Sequence, residues 1–334
     1  MKMKRKAFAI VMVLFLAGVF LFTGSTAAKD PEYPTKNINF YIPAAAGGAN
    51  DIGCRALLNA ASKHLGQQFT PINRGGAGGS MAAMSIMTAK PDGYTLGMMA
   101  TSNTFVVPFS EEAPYRDLSG LTWIMNYTNN IWPAFVRSDT PWKTWQEFIA
   151  WAKKNPRAAS IGLNGGKTNS INGILMWQME KRENVAFSYI PLKGGAEILP
   201  AVLGGHITVS ASAADATVVE YLKQGKIRIL LFLSSQGIPG YEKVPDIKSL
   251  YGLESPNISA IVGPKGLPGY VTAKLDAALA KAVKDPEFVA VMDKMYLSIN
   301  YMNSVEVRDY VTAMFSNVGE VMKKVNAEEA KSKK

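Results

Sequence analysis

Three times along this chain a strand-like apolar run ends, a glycine-rich loop follows and a helical pattern begins. The loops are PAAAGGAND at 43–51, NGGKTNS at 164–170 and KGGAE at 193–197. This order constrains the fold more than any other feature. A strand feeding a helix through a short loop, and then another strand, builds βαβ units whose right-handed crossovers cover a sheet with helices. The fold class expected is therefore α/β, with mostly parallel sheets flanked by helices. The 334 residues, 48% hydrophobic and 19% charged, suffice for a sizeable core. At roughly 150 residues per domain they suggest about two domains.

Residues 36–43 (KNINFYIP) alternate and stop at a proline, as a strand entering a turn does. The turn runs from Ala44 to Asn50, and Asp51 is placed to cap a helix. Cys54, Leu57, Leu58, Ala61 and Leu65 then recur at helical spacing up to Gly66, the left-handed stop. A second strand over 68–72 leads through Asn73, Arg74 and GGAGG to a helical pattern over 81–89. PDG at 91–93 then turns the chain into a strand over 94–100. Further strands are expected near 121–125, 132–136, 159–163, 187–190, 206–211, 227–233 and 258–262. The helices among them cover 142–154, 171–181 and 214–224, with a short one ending at Gly204. Trp142, Trp145, Phe148, Ile149 and Ala152 share one face of their helix, which assigns these tryptophans to packing and not to a ligand cage. Residues 237–257 read as a long crossover. Two amphipathic stretches follow, 268–295 and 305–325, the first broken at Asp285 and Pro286.

A helix N-terminus carries unpaired N–H donors and about half a positive charge, and glycine lets a ligand approach the backbone closely. The three loops therefore suit a carboxylate or a phosphate. A nucleotide phosphate fits poorly. In GLNGGKT, Gly162 stands one residue short of P-loop spacing, and Met81 occupies the place where a dinucleotide fingerprint needs its third glycine. Nucleophilic catalysis has no support either. Cys54 lies mid-helix on the apolar face, the serines of NGGKTNS and ATSNT lack a GxSxG elbow, and neither His64 nor His206 has a carboxylate at a telling spacing. One cysteine excludes an internal disulfide and a cysteine-built metal site, and no HExxH-type or DxDxDG-type spacing occurs. No catalytic residue, metal or cofactor is expected. Lys167 is a cation inside the second glycine loop, placed either to pair with an anionic ligand or to sit solvated.

At the N-terminus, Lys2, Lys4, Arg5 and Lys6 precede an uncharged apolar run from Ala7 to Phe22, short of the roughly 20 residues that span a bilayer. Thr26 and Ala28 suit cleavage after Ala28, so residues 1–28 read as a signal peptide. No cysteine stands there to accept a lipid, and a soluble, exported, periplasmic product is expected. Removing the leader lowers the formal charge of +10 by four. No basic stripe interleaved with aromatics appears, so no nucleic-acid partner is expected.

The ordered blocks YPTKNINFYIPAAAGGANDIGCRALL, LGQQFTPINRGGAGGSMAA, KPDGYTL, LKGGAEILPAVLGGHI and LKQGKIRIL, behind a leader, resemble the Bug receptors. These are the periplasmic solute-binding proteins of tripartite tricarboxylate transporters, and the resemblance covers essentially the whole mature chain. It implies a two-lobed periplasmic binding protein of the Venus-flytrap kind. Lobe 1 would comprise 31–101 and 229–334 and lobe 2 would comprise 102–228, with the ligand in the cleft. Such receptors hold a ligand carboxylate chiefly through backbone groups and ordered water of two facing loops. Here these match Ala46, Gly47, Gly48, Ala49, Asn50 and Asp51 on one side, and Asn164, Gly165, Gly166, Lys167, Thr168 and Asn169 on the other. Gly195 and Ala196 are expected as a weaker third contact, and Asp51 would orient its loop or accept from a bridging water.

The implied role is to capture a small organic carboxylate, without chemistry, and deliver it as a monomer to the membrane components of a tripartite tricarboxylate transporter. A sensory protein serving a membrane kinase and an exported enzyme acting on a carboxylate are the alternatives. The chain departs from the family at three points. Ala44 replaces a frequent aromatic residue, which leaves room for a bulkier ligand. Lys167 adds a charge suited to a second carboxylate. SASAAD at 210–215 stands where relatives often have an acidic residue, which disfavours an amino-acid ligand.

Overall fold

The computed structural model describes residues 30–110, 112–192 and 195–332. The expected signal peptide therefore lies outside the described residues, apart from which Pro34–Lys334 form one unit. In chain order the elements are β1 (Ile38–Ile42), α1 (Ala49–Leu65), β2 (Phe69–Asn73), α2 (Ser80–Met87), β3 (Thr95–Ala100), α3 (Thr101–Phe105), β4 (Leu121–Asn129), β5 (Pro133–Arg137), α4 (Trp145–Lys154), β6 (Ser160–Asn164), α5 (Ile171–Glu183), β7 (Ser188–Leu192) and α6 (Gly195–Leu203). There follow β8 (Val209–Ala211), α7 (Ala216–Lys223), β9 (Ile227–Phe232), α8 (Ile247–Tyr251), β10 (Ser259–Pro264), α9 (Gly269–Ala282), α10 (Pro286–Lys294), β11 (Ser298–Met302) and α11 (Ser304–Ser332). Among the described residues no helix is long and apolar enough to cross a membrane.

The strands form two sheets, β11-β4-β10-β3-β1-β2 and β7-β6-β8-β5-β9. In the first, β1 pairs in parallel with β2 and β3, whereas β10 and β11 pair antiparallel. In the second, β6 pairs in parallel with β7 and β8, whereas β5 pairs antiparallel with β8 and β9. Both sheets are thus mixed, most strands of each running in one direction. The parallel core of each comes from the βα units. β5 and β10, the strands that each follow a passage from one sheet to the other, run against their neighbours, and β11 at the edge runs against β4.

The passages also differ from the expected limits at 101/102 and 228/229. β4 pairs with β10 in the first sheet, and β9 pairs with β5 in the second. By sheet membership the chain changes sides between Asn129 and Pro133 and between Phe232 and Ser259.

Local chemistry explains the elements around the loops. In β1, Ile38, Phe40 and Ile42 are fully buried on one face. The stripe Cys54, Leu57, Leu58, Ala61 and Leu65 is buried along α1, which ends where Gly66 adopts φ 80°. Thr144 caps α4 by accepting from the Glu147 N–H, and Trp145, Phe148, Ile149 and Ala152 are buried. Trp142 meets Phe148 edge-on at 5.4 Å between ring centroids. Each such side chain contributes roughly 1.5–3 kcal/mol through burial. One apolar cluster runs from Phe105, Ile258, Val307 and Val311 to Ile161, Leu163, Ile171 and Ile174, joining material from both sheets.

Candidate functional site

β2, β1 and β3 are neighbouring parallel strands, so the loops that follow them share one sheet edge. β7, β6 and β8 do the same in the second sheet. In open α/β sheets this carboxyl edge is where ligands bind. The two edges meet: α3, which follows β3, packs against α5, which follows β6. Phe105 of α3 and Ile171, the first residue of α5, belong to the same apolar cluster.

On the first edge, Ala46, Gly47 and Gly48 connect β1 to α1, and Ala49, Asn50 and Asp51 form the first turn of α1. Gly47 takes φ 80°. The N-cap is Gly48, extended and without a side chain, three residues before the expected Asp51 cap. Asp51, 3% exposed, instead reaches back from the first turn and accepts from the Gly47 N–H at 2.9 Å. Its other oxygen accepts from Arg55 Nε and from Asn73 Nδ2, both at 2.8 Å. Asn73 also donates to the Ala44 carbonyl at 3.1 Å, and its Oδ1 accepts from Arg55 at 2.7 Å. Burial pushes the Asp51 carboxyl up, and the Gly47 amide, Asn73 and Arg55 outweigh it, leaving the group below the usual carboxylate range. Asp51 is thus an ionised brace for the loop.

The brace consumes part of the loop's donor supply. The Gly47 amide is taken by Asp51, and the Gly48 amide points to the Ala45 carbonyl at 3.3 Å. The amides left facing outward from the first turn are those of Ala49, Asn50 and Asp51, which have no partner among the described residues. Beside them Asn50 Oδ1 is buried and without a hydrogen-bond partner.

The second edge repeats this layout. Asn164 ends β6, and Gly165 to Asn169 form the loop before Ser170, the N-cap of α5. The Gly165 amide is used by Leu192 O at 3.1 Å. Ser170 Oγ donates to Gly166 O at 2.9 Å and accepts from the Gly173 N–H at 3.1 Å, so the loop is tied to its helix. The Ile171 and Asn172 amides remain without a partner among the described residues. Asn172 Nδ2 donates to Ala211 O at 3.1 Å, while its Oδ1 is buried and unpartnered. Asn50 and Asn172 therefore hold the same position, second in their helices, with the same unmatched acceptor.

Thr168 lies beside Asn169 at 3.5 Å. Lys167 stands over the Tyr189 ring, 5.9 Å from its centroid, and feels the charge of Glu328 on α11. Gly195 and Ala196 open α6, and a Cβ on Gly195 would lie 3.7 Å from Asp215 Oδ2. Asp215 caps α7 by accepting from the Val218 N–H at 2.9 Å. The segment read as lacking an acid thus places one next to Gly195.

Asn73, Arg55 and Asp215 were not singled out from the sequence. The loop over 75–79 was also left unassigned, although a Cβ on Gly75 would lie 3.7 Å from Ala44. The strand-end position of Asn73 and the NRGGAGG block were the available signals. Two cavities, of about 240 and 220 Å3, lie away from these loops. They border the passages between sheets and the face of α11, and they are lined by none of the paired loop residues apart from Ile171. Unpartnered amide donors suit an anion, so the loops are the candidate site.

The arrangement can hold an anion by backbone donors from both sheets. Among known proteins, the profile of the tripartite tricarboxylate transporter family receptor, TctC, matches residues 54–327. The chain belongs to the TctC family. A relative in Cupriavidus necator, described as a UPF0065 protein in the gbd 5′ region, is 31% identical over 305 residues, 91% of each chain. A TctC solute-binding protein from Polaromonas, solved without ligand, superposes with a TM-score of 0.74 at 28% identity, covering 88% of this chain and 100% of its own. MatC from Rhodopseudomonas palustris with bound malate shares the fold, with a TM-score of 0.72 at 22% identity over 87% of this chain and 100% of its own. The two sheets of this TctC receptor accordingly correspond to the two lobes of a periplasmic binding protein.

Proposed function

We propose that this TctC-family receptor captures a small organic carboxylate between its lobes, in the periplasm, and presents it to the membrane components of a tripartite tricarboxylate transporter. The observation that carries the reading is the matched pair of open helix starts. The Ala49, Asn50 and Asp51 amides lie on one side and the Ile171 and Asn172 amides on the other, each set with a buried, unmatched asparagine oxygen. Amides bind the carboxylate oxygens. The asparagine oxygens call for donors, which a ligand hydroxyl or an ordered water supplies. MatC, which binds malate, is a fold neighbour of the right chemistry.

Charge-assisted hydrogen bonds contribute about 1.5–3 kcal/mol each, so a few of them, less the cost of lobe closure, reach the roughly −8 kcal/mol of micromolar binding. One anion touching both edges favours the liganded, closed arrangement, since only there are both sets of donors used. No group in this account needs to gain or lose a proton or form a bond with the ligand.

A thermal-shift series over mono-, di- and tricarboxylic acids, with and without an α-hydroxyl, tests the reading. Ligand at 100 times Kd adds about 2.7 kcal/mol of stability. At least one acid should raise the melting temperature, while its neutral amide should not. A series in which no acid shifts the melt, with no carboxylate retained in native mass spectrometry, would overturn the proposal.

A further inference from the structure

Between the sheets the chain runs twice, over 130–132 from β4 to β5 and over 233–258 from β9 to β10. The two runs are tied at both ends. At the second sheet the Trp132 N–H donates to Ser234 Oγ at 3.0 Å, and the Leu233 N–H donates to Trp132 O at 2.7 Å. At the first sheet one side chain does the work of a backbone partner. Asn257 Oδ1 accepts from the Asn130 N–H at 3.0 Å, and Asn257 Nδ2 donates to the Asn130 carbonyl at 2.6 Å.

The backbone of Asn257 is engaged as well. Its N–H donates to the Tyr310 hydroxyl of α11 at 3.1 Å. Its carbonyl accepts from the Asn129 amide at 2.9 Å, with that amide oriented so that its nitrogen faces the acceptors. Asn257 is 3% exposed, so water cannot replace these bonds. Each of its polar groups is satisfied, and they reach the end of β4, the first passage and the long C-terminal helix. Such a saturated buried amide specifies one geometry.

We propose that Asn257 is the pin of the hinge between the two lobes. It clamps the first passage at Asn130, so that lobe rotation is taken up by the torsions between this tie and the one at Trp132. The larger cavity, about 240 Å3, lies on one side of the pin and is lined in part by Asn129, Ser255, Asn300 and Tyr310. The assignment rests on the two-lobed fold and not on the carboxylate reading, and its test contains no ligand.

The test is the interlobe distance distribution, read by electron–electron double resonance between nitroxides at Lys90→Cys and Lys154→Cys. These are exposed positions on opposite lobes. The one native thiol, Cys54, is fully buried and escapes labelling. Asn257→Ala should at least double the width of the distribution.

Asn257→Asp supplies a pH readout that a merely structural residue would not give. Ionised, the carboxylate still accepts from the Asn130 N–H but repels the Asn130 carbonyl. Protonated, it donates to that carbonyl and restores the clamp. Its distribution should therefore be narrow at low pH and broad at high pH, with a midpoint above the ordinary value near 3.9, because burial disfavours the charge. The neighbouring ionisable groups are Tyr310, whose hydroxyl burial pushes up, and the exposed Glu254, paired with Lys248 at 2.8 Å. The same pH series on the Asn257 protein removes their contribution. Unchanged width in the alanine variant, or a pH-independent width in the aspartate variant, would overturn the assignment. If the alanine variant does not fold, the aspartate variant decides alone.

Discussion

Asp51 shows how a carboxylate can serve an anion site without contacting the anion. It collects the Gly47 N–H, Arg55 and Asn73, and so shapes the loop that leaves the Ala49 to Asp51 amides open. Asp51→Ala strips those donors of their acceptor and should cost about 2–3 kcal/mol in urea unfolding, the range for buried bonds to a charged group. The pH dependence has a definite sign. The folded pKa lies below the unfolded value near 3.9, so the stabilisation is fully present above that value and is lost as pH falls through the folded one. The stability gap between wild type and Asp51→Asn should therefore be constant from pH 5 to 7 and shrink below about pH 4. Lys167 belongs to the same scale. It already has Tyr189 and the charge of Glu328 for company. Lys167→Ala should weaken a dianionic acid more than a monoanionic one in calorimetric titration, and equal losses would remove it from the site. The residue identities around Asp51 were legible in the sequence, but the brace was not, because Asn73 joins from 22 positions away through the fold.

Elements with strong periodicity were legible, since burial of one face imposes its spacing on the chain. α1 shows this from Cys54 to Gly66, and β1 shows it at Ile38, Phe40 and Ile42. The break at Asp285 and Pro286 reappears as the gap between α9 and α10, with Asp285 capping α10. β11, by contrast, is an edge strand with intermediate burial and carries little alternation to read. α3 and α8 are five residues long, too short for a helical period to register. Strand direction was illegible where the chain changes sheets, because the partner is set by distant segments. The helix starts of the proposed site depend on small residues at close quarters. A Cβ on Gly173 would lie 2.5 Å from the carbonyl oxygens of both Gly166 and Lys167. Gly173→Ala should therefore push the 165–170 loop away from α5 and lower carboxylate affinity at least tenfold, about 1.4 kcal/mol. Gly66→Ala is the control. Its φ of 80° strains a side chain but nothing lies within 4 Å. It should cost about 1 kcal/mol of stability and leave affinity unchanged.

At the scale of the whole molecule, two mixed sheets share an apolar cluster and are joined by two tied passages, with a loop edge of each turned toward the other. Ligand should act on this assembly through differential contact. A bound carboxylate uses donors from both edges at once and should narrow the distribution of lobe separations seen by small-angle scattering. The surface ion pair between Lys181 and Glu328, at 2.6 Å, connects α5 to α11, but both partners are roughly half exposed. Glu328→Gln should change stability by less than about 1 kcal/mol and add little to closure. The most direct test of the central claim is a 15N–1H titration with whichever of malate, adipate and citrate raises the melting temperature. Saturable shifts of the Ala49, Asn50, Asp51, Ile171 and Asn172 amides, all following a single Kd, are expected. An acid that stabilises the protein while those amides stay unmoved, or while only one of the two sets responds, would contradict it.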